Sequence, residues 1–364
     1  MPKNPLVHHP PWRQLLILSV IAPLIVGLAV LAFTWPASRT EARSLPVGVV
    51  GTGVTAQKAA EGLTSTRPGA FDLHLYASDA EARSAIEHRE VYGAFEVSSR
   101  HIVFLTASAA SPAVAQLLTS AAGAMAGQLS PTTQPAAESV VQDVVPTSSD
   151  DPRGSTFAAA MTPLVLGGVI LAVMVAVLVG FKPALREIVA LAVVSCMAGA
   201  CVHLVAQDYI GALPGNRIGT WASLSLMLFA ISSFVAGMAA LLGPAGVALG
   251  AILMVFVGNP FAGVSSAPEL MPSVVGQLGQ LMPPGAGANL LRSAAYFNGH
   301  GAAQHAVVLG VWSVVGIAAI LEGHRRVAHR HNARHSNDLL TDSPLYEALT
   351  DVTTDVTADT GVRT

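Results

Sequence analysis

The 364-residue chain is 52% hydrophobic and only 11% charged, where an ordinary soluble domain carries roughly 25% charged residues. A formal net charge of -3 leaves no basic footprint for nucleic acid. The two cysteines, Cys196 and Cys201, lie in one apolar run, five positions apart on different helix faces. They read as packing residues and supply no disulfide framework to report a compartment.

In chain order, residues 1–14 form a short N-terminus, and the first apolar run extends from about Leu15 to Phe33. Roughly 19 apolar residues are enough to cross a hydrocarbon core of about 30 Å. A signal peptide is the rival reading, but its apolar core would be about 7–15 residues. The run at 15–34 therefore predicts a retained transmembrane helix.

Residues 35–156 read as a water-facing α/β domain and linker. Leu45 to Val50 predicts a buried strand, and Val54 to Leu63 a helix. The alternation of Phe71 to Tyr76 predicts a half-buried strand. Asp79, as N-cap, opens a helix to Glu90; Val91 to Val97 and Ile102 to Thr106 read as strands. Ser111 caps an Ala-rich helix ending near Leu129, and Ser130 to Thr156 reads as a linker. The order βαβαββα predicts a small α/β sheet. Gly51-Thr52-Gly53-Val54-Thr55-Ala56 fits a dinucleotide-binding turn. However, no acidic residue follows at the end of a second strand, and glycines at a tight strand–helix turn need no ligand.

Five further spans crowd residues 157–323: about Phe157–Gly180, Ile188–Val205, Ile218–Leu242, Ala245–Val257 and Ala306–Leu321. The predicted fold is thus an α-helical polytopic membrane protein of six transmembrane helices in a one-plus-five arrangement. An α/β domain is inserted after the first. Gly246 and Gly250 form a G-x-x-x-G pair suited to close helix approach. Lys3 and Arg13, then Lys182 and Arg186, then Arg325, Arg326, Arg330 and Arg334 all fall on one side of six crossings. The positive-inside rule makes that side the cytoplasm. Both termini are then cytoplasmic and residues 35–156 extracytoplasmic, in a multi-pass protein of the cell membrane. The 324–364 tail, basic and then acidic and Thr-rich, predicts disorder. His329, His331 and His335 within it read as a solvated histidine cluster rather than a metal site.

No lysine follows a glycine, so no P-loop can be built. H-E-x-x-H and G-x-S-x-G patterns are missing too, and the spans are almost bare of ionisable groups. His203 reads as a hydrogen-bonded structural residue. No catalytic, cofactor-binding or metal-ligating set emerges, and the sequence points away from an enzyme.

Two segments remain as candidate sites. The internal loop Phe181, Lys182, Pro183, Arg186 and Glu187 reads either as a docking element for a motor subunit or as a turn that anchors the chain at the interface. The broken stretch at about 258–305 carries Asn259, Pro260, Gln277, Gln280, Pro283, Pro284, Asn289 and Arg292. Apolar segments interrupted by Pro and Gly mark transporter pathways, so these residues read either as an external gate or re-entrant hairpin on a pathway or as an extracellular loop lying on the surface. Short helices are expected at Val274–Leu281 and Asn289–Phe297.

The plan from about Arg13 to Arg326 resembles the type-2 family of ATP-binding-cassette exporter permeases. It is most similar to the large-ectodomain branch related to phage-infection proteins. The local matches are Leu45-Pro46-Val47-Gly48-Val49-Val50, Val91-Tyr92-Gly93-Ala94-Phe95, Asp151-Pro152-Arg153-Gly154 and Pro283 through Arg292. The resemblance implies a permease half that dimerises, as a homodimer or heterodimer, and contacts membrane lipid. It also implies that a separate P-loop ATPase subunit binds the ATP. The substrate would be hydrophobic or lipid-like and would move outward. The alternative is a non-transporting envelope protein whose external domain binds a partner or cell-wall component.

Overall fold

A computed structural model describes residues 12–51, 67–97, 101–129, 138–179 and 183–341, with a few positions between 57 and 65. It is mostly helical with one small sheet. Most of the Gly51–Ala56 turn and of the helix expected at Val54–Leu63 lies outside the described residues.

Six helices among the described residues are long and apolar enough to cross a membrane: Leu15–Ser38, Ser155–Val179, Ala184–Tyr209, Arg217–Leu242, Pro244–Phe261 and Ala302–His329. The first is part of α1 (Trp12–Ser38). The sheet follows, with β1 (Leu45–Val50), β2 (Phe71–Tyr76), β3 (Gly93–Val97), β4 (His101–Thr106) and β5 (Glu138–Asp143) in the order β2-β1-β3-β4-β5. β1 pairs in parallel with β2 and β3, β3 and β4 are antiparallel, and β4 and β5 are parallel. Helix α2 (Asp79–Glu87) and helix α3 (Pro112–Leu129) pack on this sheet.

The linker expected at Ser130–Thr156 therefore contains an edge strand. Its only apolar residues are the adjacent pair Val140-Val141, which shows no alternation and sits in a polar segment, and that hides it. The N-cap of α2 is Ser78 rather than Asp79: the Ser78 hydroxyl accepts from the Glu81 N–H at 3.3 Å. Ser111 caps α3 through the Val114 N–H at 3.2 Å.

The helical block comprises α4 (Ser155–Val179), α5 (Ala184–His203), α6 (Arg217–Leu242), α7 (Pro244–Ile252), α8 (Ser273–Gln280), α9 (Pro283–Tyr296) and α10 (Ala302–Thr341). Asp151 starts α4, accepting from the backbone N–H groups of Ser155, Thr156 and Phe157. α6 is the central pillar, packed against α4, α5, α7, α9 and α10. Gly246 and Gly250 are consumed within the chain: a Cβ on Gly246 would overlap the Met238 carbonyl, and Gly250 sits on Val235. The G-x-x-x-G pair thus seats α7 on α6, as small residues do where helices must approach closely.

Three expectations change here. The fifth span does not stop at Val257: a π-helical turn, Leu253–Gly258, carries it through Asn259 and Pro260 to Phe261. Pro260 is tolerated there because it occupies the first turn of the terminal helical segment. Cys196 and Cys201 are exposed on α5, so they do not pack the core. Finally, α10 continues through the basic cluster to Thr341, so 324–341 is helical rather than disordered. The side chains of His331 and His335, and residues 342–364, lie outside the described residues.

The long helices of the block run back and forth between two ends. One end of the block gathers Thr162 with Asn259, Gly211 with Ser148, and Ala212 with Tyr296. The other end joins the start of α5 to α10 through Glu187 and His324, 2.7 Å apart. The α/β domain sits on the first of these ends.

Candidate functional site

The break between the last two spans builds the site. Beyond Phe261 the chain makes a single 3₁₀ turn at Pro268–Leu270 and folds back as α8 and α9. α9 begins at Pro283, six residues earlier than expected. Pro283 and Pro284 look like helix breakers, yet in a first helical turn their missing N–H groups cost nothing. Twelve residues of α9 are buried, including Pro283, Pro284, Asn289 and Arg292. Its packing against α6 requires Gly287, whose Cβ would collide with the Met227 side chain. The hairpin is therefore a buried part of the helical block and not a surface loop.

Asn289 is the hub. Its Nδ2 donates to Gln280 Oε1 at 2.5 Å, and its Oδ1 accepts from Arg89 Nη2 at 2.8 Å and Arg292 Nη1 at 3.3 Å. Arg89 Nη1 also donates to the Asn289 carbonyl at 3.1 Å and to the Ser293 hydroxyl. Arg292 donates to the Val264 carbonyl at 3.1 Å and lies over the Phe157 ring, 4.7 Å from its centroid. Arg89 lies over the Phe297 ring at 5.2 Å. Neither guanidinium forms an ion pair with a carboxylate among the described residues.

Arg89 comes from the α/β domain, just beyond α2, with a left-handed φ of 64°. That conformation costs a non-glycine residue roughly 1–2 kcal/mol, and the bonds to α9 hold it. Burial lowers the Arg89 pKa from its ordinary value, opposed by Tyr92 and by the Glu269 charge. Tyr92 donates its hydroxyl to Glu269 at 2.8 Å. Burial, then the Glu269 charge, push the Tyr92 phenol well above its ordinary range.

A cavity of about 740 Å³ lies between the domain and the hairpin. Arg89, Tyr92 and Glu269 line one part of it, and Gln277, Gln280 and Asn289 another. Gln304 and His305, at the start of α10, close it. His305 Nδ1 is buried without a hydrogen-bond partner. A second cavity of about 240 Å³, between α1 and α4, holds Asn259 and Pro260.

The domain is not a separate module resting on this hairpin. Ala267 and Leu270 complete the core made by Leu45, Val47, Phe95 and Phe104. Phe297 completes the other core, with Ile86, Ala94 and Leu105. Backbone bonds from Glu41 N to Leu270 O and from Arg43 N to Glu269 O, both 2.9 Å, stitch the same seam.

Of the residues expected at an external gate, Gln280, Asn289 and Arg292 form one network, and Gln277 joins them on the cavity wall. Asn259 instead ties the fifth span to Thr162 at 2.9 Å, while Pro260 lines the smaller cavity and Pro283 and Pro284 start α9. In the internal loop, Phe181 and Lys182 lie outside the described residues. Pro183 precedes α5, Arg186 is exposed, and Glu187 is buried against His324. His203 bonds the Thr220 hydroxyl at 3.0 Å. Arg89 escaped sequence reading, and no local pattern marks it; Tyr92 stood only in the Val91–Phe95 match, and Glu269 and His305 lay in the broken stretch without being singled out. Among the described residues no group of His, Cys, Asp and Glu gathers as a metal site.

No protein-family model, curated protein or solved structure matches the chain.

Proposed function

We propose that this is a multi-pass protein of the cell membrane with its α/β domain outside and both termini in the cytoplasm. In this reading it serves as the permease subunit of a type-2 ATP-binding-cassette exporter. The observation that carries the reading is the shared core: Leu270 and Phe297, from the hairpin between the last two spans, complete the external domain. A domain built into the helical block at its broken hairpin suits a transport pathway better than an independent binding module on an anchor. Broken backbone at membrane depth is tolerated where protein or a water-filled cavity covers it, and the hairpin is packed on α6 beside the larger cavity, which supports the reading. The basic residues at the opposite end favour the cytoplasm for that end.

The chain's own part is to bind and pass the cargo. ATP is hydrolysed by a separate P-loop subunit that docks at the Phe181–Glu187 loop, and two permease halves form the pathway. A photo-crosslinker at Lys182 should capture a P-loop ATPase, and the purified complex should hydrolyse ATP. Capture of no ATPase, with an ATP-independent phenotype on deletion, would contradict the reading.

A further inference from the structure

Three features of the junction cavity remain unused by the transport reading. The first is charge. Arg89 and Arg292 converge on one neutral acceptor, Asn289 Oδ1. Glu269, the one carboxylate on the cavity wall among the described residues, is engaged by Tyr92. Arg43, on the rim, adds a further positive charge, already paired with Glu41 at 3.4 Å. Two converging, largely desolvated guanidiniums without a carboxylate partner are costly unless an anion joins them.

The second is hydrogen-bonding capacity. Arg89 has five N–H donors. Its three bonds to α9 leave Nε–H and one Nη2–H without a protein acceptor among the described residues. Gln277, Gln304 and the unpartnered Nδ1 of His305 add donors and acceptors around a volume far larger than a lone anion needs. Such walls suit hydroxyl groups attached to the anion.

The third is the apolar surface leading away from the mouth. Val274 and Leu278 on α8 and Leu281 at its C-cap are exposed at helical spacing, and Leu281 also lines the cavity. On α10, Gln304 lines the cavity while Val307, Val311 and Val314 continue the same face, all more than half exposed. That stripe runs about 15 Å down the helix at 1.5 Å per residue.

We propose that the junction cavity binds the anionic, hydroxyl-bearing head group of an amphiphile, such as a glycerophosphate lipid. The head group sits on Arg89, and the acyl chains lie along α8 and α10. Arg292 holds Asn289, and through it Arg89, in place. This names the substrate or ligand class of the site and rests on the membrane reading, but it does not require the ATPase.

The test uses the full chain purified in neutral detergent, with native mass spectrometry reading bound lipid. The probes are phosphatidylglycerol, phosphatidylcholine and inorganic phosphate. Phosphatidylglycerol should bind saturably and phosphatidylcholine weakly. Arg89→Gln should weaken phosphatidylglycerol binding about tenfold or more, the size of a charge-assisted contact. Because Arg89 also braces α9, Gln277→Trp provides an independent variant: it adds bulk at the cavity wall at a residue outside the Asn289 hydrogen bonds and should weaken binding as well. Unchanged binding in both variants overturns the proposal. Inorganic phosphate displacing the lipid completely assigns the site to a free anion and overturns the amphiphile. Saturable lipid binding together with failure of the Lys182 crosslinker to capture an ATPase supports this site while contradicting the exporter reading, so the two can fail separately.

Discussion

The two ends of the helical block are built differently. At the domain end the backbone is irregular: π-helical turns finish the third and fifth spans, with Ile210 N–H reaching Val205 and Asn259 N–H reaching Met254. That end also holds the hairpin, the two arginines and the larger cavity. At the opposite end, short connections join regular helices, and Glu187 with His324 is the buried ionisable pair. π-turns commonly accompany functional sites. The irregular backbone, the larger cavity and the two arginines thus share one end, and the regular helices with short connections lie at the other.

The comparison can be broken most sharply at the shared core. Phe297→Ala should destabilise the whole protein by about 3–5 kcal/mol, as loss of a buried phenylalanine does, with a lower Tm in detergent. A near-neutral result would mean that the domain folds without the hairpin. At the other end, Glu187→Gln leaves half-buried His324 without its carboxylate hydrogen-bond partner. A loss of about 1–3 kcal/mol is expected, with the same thermal melt as the measure and lipid binding unchanged. Lost lipid binding would erase the distinction between the ends.

Alkaline pH sharpens the domain end further. The folded protein holds the Tyr92 proton above the phenol's ordinary value of 10.0, so folding binds a proton that the unfolded chain releases. The stabilisation is complete below about pH 10 and declines as pH rises above it. Tyr92→Phe should flatten that alkaline loss in a melt-versus-pH series. The smallest effect is expected at Asp208 and Arg217, 2.7 Å apart but solvent-exposed. Asp208→Asn should cost under about 1 kcal/mol, and less at high salt.

Much of this organisation is legible in sequence. Apolar runs locate the six long helices, and alternation locates β2, because both patterns are local. Errors arise where one residue type serves two purposes. Pro283-Pro284 reads as a break but opens α9, and Gly258-Asn259-Pro260 reads as a stop but lies in a continuing helix. The site is half legible. Gln277, Gln280, Asn289 and Arg292 stand in one broken segment, so a local reading gathers them. Arg89 lies 200 positions from Asn289, and Tyr92 lies 177 from Glu269. Only tertiary packing brings these together, and no periodicity encodes it.

The central claim is that the cavity-bearing end faces outward and the plain end faces the cytoplasm. With Cys196 and Cys201 replaced by Ala, single cysteines at Glu87→Cys on α2 and Arg186→Cys on α5 can be treated in intact cells with a membrane-impermeant maleimide. The account predicts labelling at position 87 in intact cells, and at position 186 only after permeabilisation. The reverse pattern, or equal labelling of both in intact cells, would contradict it.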